Sequence, residues 1–220
     1  MDPMIDFAQR RLGGRAVPSD LGNLLEWERA GTPSSGRGFL KSAGVRMLDG
    51  DRMPSLVAAI LAGRDNLDSA NRLAYAQAMG EMLRYCGFVA EAAAGDAIGY
   101  WFSPDRIPID TAPLLRFDTE GNFSILPGNT IAEGILFIAS RGDDQTFGAL
   151  RKQLHDMGLD ISARTRGDLR PRECALHPEV TYQRLVRAYA RDFSTTSMPD
   201  TGEPVDVMTM HRGPDIGPEK

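Results

Sequence analysis

Cys174 and His177 are separated by two residues, a gap that zinc ligands often use, and Cys86 with His155 would complete a Cys2His2 set. Only this one pair has ligand spacing, so the four residues read as ordinary core and surface positions, and no metal is expected. A nucleophilic cysteine would need a base among His155, His177 and His211, and no G-x-S-x-G elbow offers a serine instead. Four carboxylates, Asp105, Asp110, Asp118 and Glu120, lie close enough in sequence to suggest an acid and a base. Asp118 and Glu120, however, flank Gly121, where short polar side chains belong for conformational reasons. Gly36 and Gly38 lack the lysine and serine of a phosphate-binding loop, and Gly13-Gly14 follows a helical pattern rather than a strand. Arg164, Arg166, Arg170 and Arg172 could meet phosphate or an acidic protein, but Asp168 and Glu173 dilute their field, which reads as a solvated surface. Neither catalytic residues nor a cofactor follow from these patterns.

What remains is surface for a partner. The stretch S-P-D-R-I-P-I-D-T-A-P holds Pro104, Pro108 and Pro113, which keep it extended and out of a strand ladder. Asp105, Arg106, Ile107, Asp110 and Thr111 are therefore the candidate partner-binding residues, presented at low entropic cost. Tyr100 and Trp101, just before them, are expected in the core.

The elements around this loop can be read in order. Ile5, Phe7 and Leu12 share an amphipathic face that Gly13-Gly14 stops. Leu21, Leu24 and Leu25 mark a short helix, with Ser19 or Asp20 as its cap and Gly31 as its stop. Residues 31–44 carry glycine, proline and serine at short intervals and read as an exposed loop. Val45–Leu48 reads as a strand, Met53–Ala62 as a short helix, and Asp68–Arg84 as a helix buried along Leu73, Ala76, Gly80 and Leu83, with Tyr75, Met79 and Met82 widening its apolar face. Cys86–Glu91 and Ala97–Ser103 should pair antiparallel, the second apolar on both faces and so central. Pro113–Asp118 and Asn122–Leu126 form a hairpin around Gly121. Thr130 and Glu133 make a capping box, Asp143 and Asp144 open a helix that Gly158 stops, and Pro178 opens a last one with Tyr182, Leu185, Val186, Tyr189 and Phe193 inward. The resulting fold is a single α+β domain over 1–195, a mainly antiparallel twisted sheet with helices packed against it around one core. Residues 196–220, rich in proline, glycine and charge, read as a flexible tail.

Composition sets the limits. The 220 residues are 42% hydrophobic and 25% charged, with a net charge of −5, which disfavours nucleic acid and suits a basic protein partner. Of the 25 basic residues only Lys41, Lys152 and Lys220 are lysines, an arginine skew that fits GC-rich coding and a bacterial source. No apolar run is long enough to span a membrane, and the first residues lack a secretory apolar core, so a cytoplasmic location is expected. Two cysteines fit a reducing compartment.

Several of these stretches, taken together, resemble the SUKH superfamily of cell-wall-regulator-like immunity domains. The likeness is carried by V-P-S-D at 17–20 with Leu24-Leu25, D-A-I-G-Y-W-F at 96–102, I-P-I at 107–109, A-P-L-L-R-F-D-T-E-G-N-F at 112–123 and T-I-A-E-G-I-L at 130–136. It covers about residues 16–157 and is densest over 86–138. The chain departs from the family pattern at 31–44, which lacks an Asn-Gly-Gly element, and in its last helix and tail. The resemblance implies the same α+β fold and a cytoplasmic protein that binds and neutralises a cognate toxin or effector, often a nuclease. It brings no catalytic residues. A regulatory scaffold of the same fold, or a hydrolase using Cys174 or the carboxylates near Asp118, are the alternatives.

Overall fold

The computed structural model describes residues 2–30, 35–62 and 70–196. Its centre is a five-stranded meander in the order β1 (Val45–Met47), β2 (Cys86–Ala92), β3 (Ala97–Trp101), β4 (Leu114–Phe117) and β5 (Phe123–Leu126), antiparallel throughout. The doubly apolar sequence of β3 explains its central place, with every residue buried. Gly99 is required there, because a Cβ would sit 2.2 Å from the Gly87 carbonyl oxygen of β2.

Helices cover both faces of the sheet. One face packs against α1 (Pro3–Arg11), α2 (Ser19–Arg29), α3 (Ser35–Ala43), α6 (Ile131–Ala139) and α7 (Asp144–Asp156); the other packs against α4 (Ser55–Ala62), α5 (Ala70–Met82) and α8 (Pro178–Thr196). The fold is a single α+β domain. The one core expected is divided by the sheet into two clusters, with Ile98, Tyr100, Leu114 and Leu126 on the first side and Ala97, Trp101, Leu115 and Phe117 on the second. A β-bulge between Phe88 and Ala90 inserts Val89, and this exchanges the side-chain parity of β2. Cys86 and Phe88 consequently join the second cluster while Ala90 and Ala92 join the first.

Local signals in the sequence recur as geometry. Thr130 and Glu133 form the capping box of α6, Asp143 accepts from the Gln145 and Thr146 amides at the start of α7, and Gly158 closes α7 at φ +84°. The hairpin of β4 and β5 turns at Gly121, also at positive φ.

Four expectations are corrected. The loop expected at 31–44 contains α3, with Phe39 and Leu40 buried, while residues 31–34, Gly31 among them, lie outside the described residues. Burying those two side chains contributes about 1.5–3 kcal/mol each, enough to outweigh the poor helix propensity of Gly36 and Gly38. Neither Ser19 nor Asp20 caps α2; Pro18 is at its N-cap, and the buried Asp20 carboxylate instead accepts from the Ala132 amide of α6 at 3.1 Å. Helix α5 buries Ala76, Met79 and Met82 as expected, together with Ala74 and Ala78, but leaves Leu73 and Gly80, and Leu83 just beyond its end, half-exposed, because its small side chains are the ones that allow α4 and α8 to approach. Ile5, assigned to the inner face of α1, is 52% exposed. The tail expected at 196–220 lies outside the described residues, apart from Thr196, which ends α8. No described helix is long and apolar enough to cross a membrane.

Candidate functional site

The residues that could do chemistry are not brought together. Cys86 is 8% exposed in the second cluster, and burial pushes its thiol well above the ordinary range. Cys174 is half-buried, its Sγ 2.8 Å from the Leu176 carbonyl oxygen, and burial raises its pKa also. His177 ends its segment at the start of α8, where its Nδ1 accepts from the Glu179 amide at 3.3 Å. His155 is exposed on α7 and pairs with Asp160. His211 lies outside the described residues. Among the described residues no three His, Cys, Asp or Glu side chains group as metal ligands would.

The carboxylates separate in the same way. Asp118 Oδ1 accepts from the Glu120 and Asn122 amides, each at 3.0 Å, and so shapes the β4–β5 turn. Asp105 and Asp110 precede β4 while Asp118 and Glu120 follow it, and a strand of that length spans roughly 13 Å.

The connection from β3 to β4 is by contrast a built surface. Phe102 N–H donates to the Tyr85 carbonyl and Ile107 N–H to the Phe102 carbonyl, both at 2.7 Å, and Thr111 N–H closes a turn on Pro108 at 3.1 Å. Ser103 and Arg106 both hold left-handed backbone, at φ +59° and +56°. A non-glycine residue there costs about 1 kcal/mol and persists only where its surroundings fix it. Those surroundings are the buried Ser103, whose carbonyl accepts from Arg106 N–H at 3.0 Å, and Ile107 and Ile109, which pack against the first cluster. Asp105, Arg106, Asp110 and Thr111 are exposed and Ile107 is half-exposed.

Neighbouring groups extend this surface. Arg15 lays its guanidinium 3.9 Å from the centre of the Phe102 ring and donates to the Leu12 carbonyl at 2.9 Å. Its pKa is lowered, first by partial burial and then by the charge of Arg106. Arg15 also borders a groove of about 600 Å³ between α1 and α2, lined by Met4, Ile5, Ala8, Val17 and Pro18. At the other end of the loop Arg172 donates to the Ala112 carbonyl and to the Asn129 carbonyl, each at 3.0 Å.

The Tyr100 hydroxyl is fully buried and, among the described residues, has no hydrogen-bond partner. Its pKa is raised well above the ordinary value, by burial first and then by Asp20, with Arg172 opposing. Tyr100 was expected in the core and is there, with Trp101, whose indole donates to the Leu176 carbonyl at 2.8 Å. Nothing in the sequence marks that the charges of Asp20 and Arg172, from distant segments, act on the Tyr100 hydroxyl.

The chain matches no family model, no curated protein and no solved structure. Its role has to come from its own side chains.

Proposed function

We propose that this protein is an immunity-type binder that neutralises a cognate toxin or effector protein by covering its active surface. The observation that carries this reading is the loop 103–111, a locked, exposed connection that projects Asp105, Arg106, Asp110 and Thr111 around the half-exposed Ile107. A loop already fixed in one conformation loses little entropy on association, which is what an interface needs and what an isolated acid or base does not require. The flanking Arg15 and the apolar groove beside it add the mixture of guanidinium and hydrophobic contacts from which interface energy is drawn. The net charge of −5 favours encounter with a basic partner such as a nuclease domain. The resemblance over 86–138 points the same way.

Co-expression with the toxin-like reading frame beside its gene tests the proposal. Growth should be rescued and a stable complex co-purified. Replacing Asp105, Arg106 and Asp110 one at a time by alanine should weaken that complex by about 1–2 kcal/mol each for the residues that anchor it. Thermal stability should stay unchanged. Persistent toxicity, or no complex, would defeat the reading.

A further inference from the structure

Residues 160–176 form a strap fastened to the chain just beyond β5, by Gly128 N–H donating to the Arg170 carbonyl at 3.0 Å and by a bridge between Pro127 and Pro171. Arg151 of α7 donates to the Ala163 carbonyl at 3.0 Å, and the Arg166 amide donates to Asp144 at 3.0 Å. The strap's own arginines are mostly spent on holding it in place. Arg166 stacks over the Phe137 ring at 3.8 Å, Arg170 donates to the Gly167 and Leu169 carbonyls, and Arg172 clamps Asn129 and Ala112. Among the described residues the guanidinium groups of Arg164 and Arg166 meet no acceptor; that of Arg166 lies against Phe137, with its Nε buried and unpaired, and that of Arg164 is exposed.

Arg164 borders an open cleft of about 390 Å³ with Arg170, Asn129, Ser162, Glu133 and Asp168. Each of the two carboxylates has one oxygen engaged by backbone amides. Glu133 accepts from the Asn129 and Thr130 amides, and Asp168 from the Arg164 and Thr165 amides. The first amides of α6 are likewise taken, by Glu133, Thr130 and Asp20, so the helix end supplies no site of its own. Asn129 uses its Oδ1 to accept from Arg172 at 3.1 Å, which leaves its NH2 group, and Ser162 Oγ also meets no partner among the described residues. Beside the second oxygens of these two carboxylates, the cleft therefore has three unspent donor groups, a guanidinium fork, an amide NH2 and a hydroxyl, on a backbone held in place from both sides. Planar forks of this kind match carboxylate and phosphate oxygens, and the volume suits a small molecule rather than a protein surface.

We propose that this cleft binds the oxyanion group, carboxylate or phosphate, of a small ligand, with Arg164 as the principal donor and Asn129 and Ser162 beside it. The site is separate from the loop 103–111 and does not depend on the toxin-binding reading. The test is an amide NMR titration of the full chain at constant ionic strength, with inorganic phosphate, with succinate and with chloride as three arms. Phosphate or succinate should give saturable shifts confined to residues 128–129 and 162–170, with half-saturation in the millimolar range and chloride without effect. Arg164→Ala should weaken that binding by about tenfold or more, since it removes charge-assisted hydrogen bonds, and leave the rest of the spectrum in place. Tighter phosphate than succinate assigns a phosphoryl ligand, and the reverse a carboxylate. Shifts that chloride reproduces, shifts unaltered by Arg164→Ala, or no saturation with either anion would overturn the site.

Discussion

Loop 103–111 and strap 160–176 are both long, irregular and polar, and both lie against the same end of the sheet, but they are held by different means. The loop is fastened by its own backbone, with Ile107 N–H on Phe102, Arg106 N–H on Ser103 and Thr111 N–H on Pro108, and by Ile107 and Ile109 turned inward. The strap is fastened by reach, since its anchors are guanidinium groups meeting carbonyls many residues away: Arg172 on Ala112 and Asn129, and Arg151 of α7 on Ala163. Local fastening produces a stiff surface whose exposed side chains are available for contact. Fastening by reach consumes arginines, and of the two in the strap that meet no acceptor, Arg166 is spent on the Phe137 ring and Arg164 is left exposed. This use also gives the arginine skew of the chain a structural role, because a guanidinium can donate to two carbonyls at once where a lysine acts as a point charge.

The largest effect is expected where both segments share a foundation. Gly99→Ala would place a methyl group 2.2 Å from the Gly87 carbonyl oxygen and 2.7 Å from Phe88 Cα, and neither backbone atom can rotate aside. The central strand would have to shift, at a cost of about 3 kcal/mol or more. Urea denaturation and soluble yield should both fall sharply, and loop and strap amides should lose protection together. A variant of near-native stability would mean that β3 does not set the position of either segment.

Arg172→Ala should separate the two. It leaves the carbonyl of the fully buried Ala112 without its donor and frees the strap from Asn129, for an expected loss of about 1–3 kcal/mol in chemical denaturation. Hydrogen exchange should quicken at Gly128, whose amide is bound to the strap, and stay slow at Ile107, whose amide is bound within the loop. A change below about 0.5 kcal/mol with Gly128 still protected would show the guanidinium clamp to be incidental.

The same contrast explains which parts of the fold could be read from the residues. Thr130 with Glu133, Asp143 before α7 and Gly121 in its turn act within four positions of themselves, so a string of residues carries them in full. The place of β3 was legible because an element covered on both faces must be apolar on both. Helix α3 was not, since Gly36 and Gly38 act locally against it while the burial of Phe39 and Leu40 comes from distant helices. The Val89 bulge, the Asp20 contact with α6 and the Arg172 clamp left no mark either, because a backbone carbonyl or amide looks the same at every position. The exposure of the loop was therefore legible in the sequence, as were the strap's arginines, which read as a solvated surface; the cleft that Arg164 and Arg170 border with Asn129 and Ser162 was not.

Acid should divide the two segments as well, by a smaller margin. The Asp168 carboxyl is held below the usual carboxylate range, first by the Thr165 amide, then by the Arg164 amide and the Thr165 hydroxyl. A depressed carboxyl supports the folded arrangement fully above the unfolded value of about 4 and loses that support as pH falls through its lower folded value. The strap also has the carboxylate of Asp144 under the Arg166 amide, whereas the fastenings of the loop at Ile107, Arg106 and Thr111 run from amide to carbonyl and contain nothing that titrates. Lowering the pH below about 4 should thus shift the Arg164 and Thr165 amides, in an NMR titration, before those of Ile107 and Thr111. If the loop amides moved first, its independence from charged anchors would be wrong, and Asp105 beside Ser103 Oγ, at 3.5 Å, would be the group to replace next.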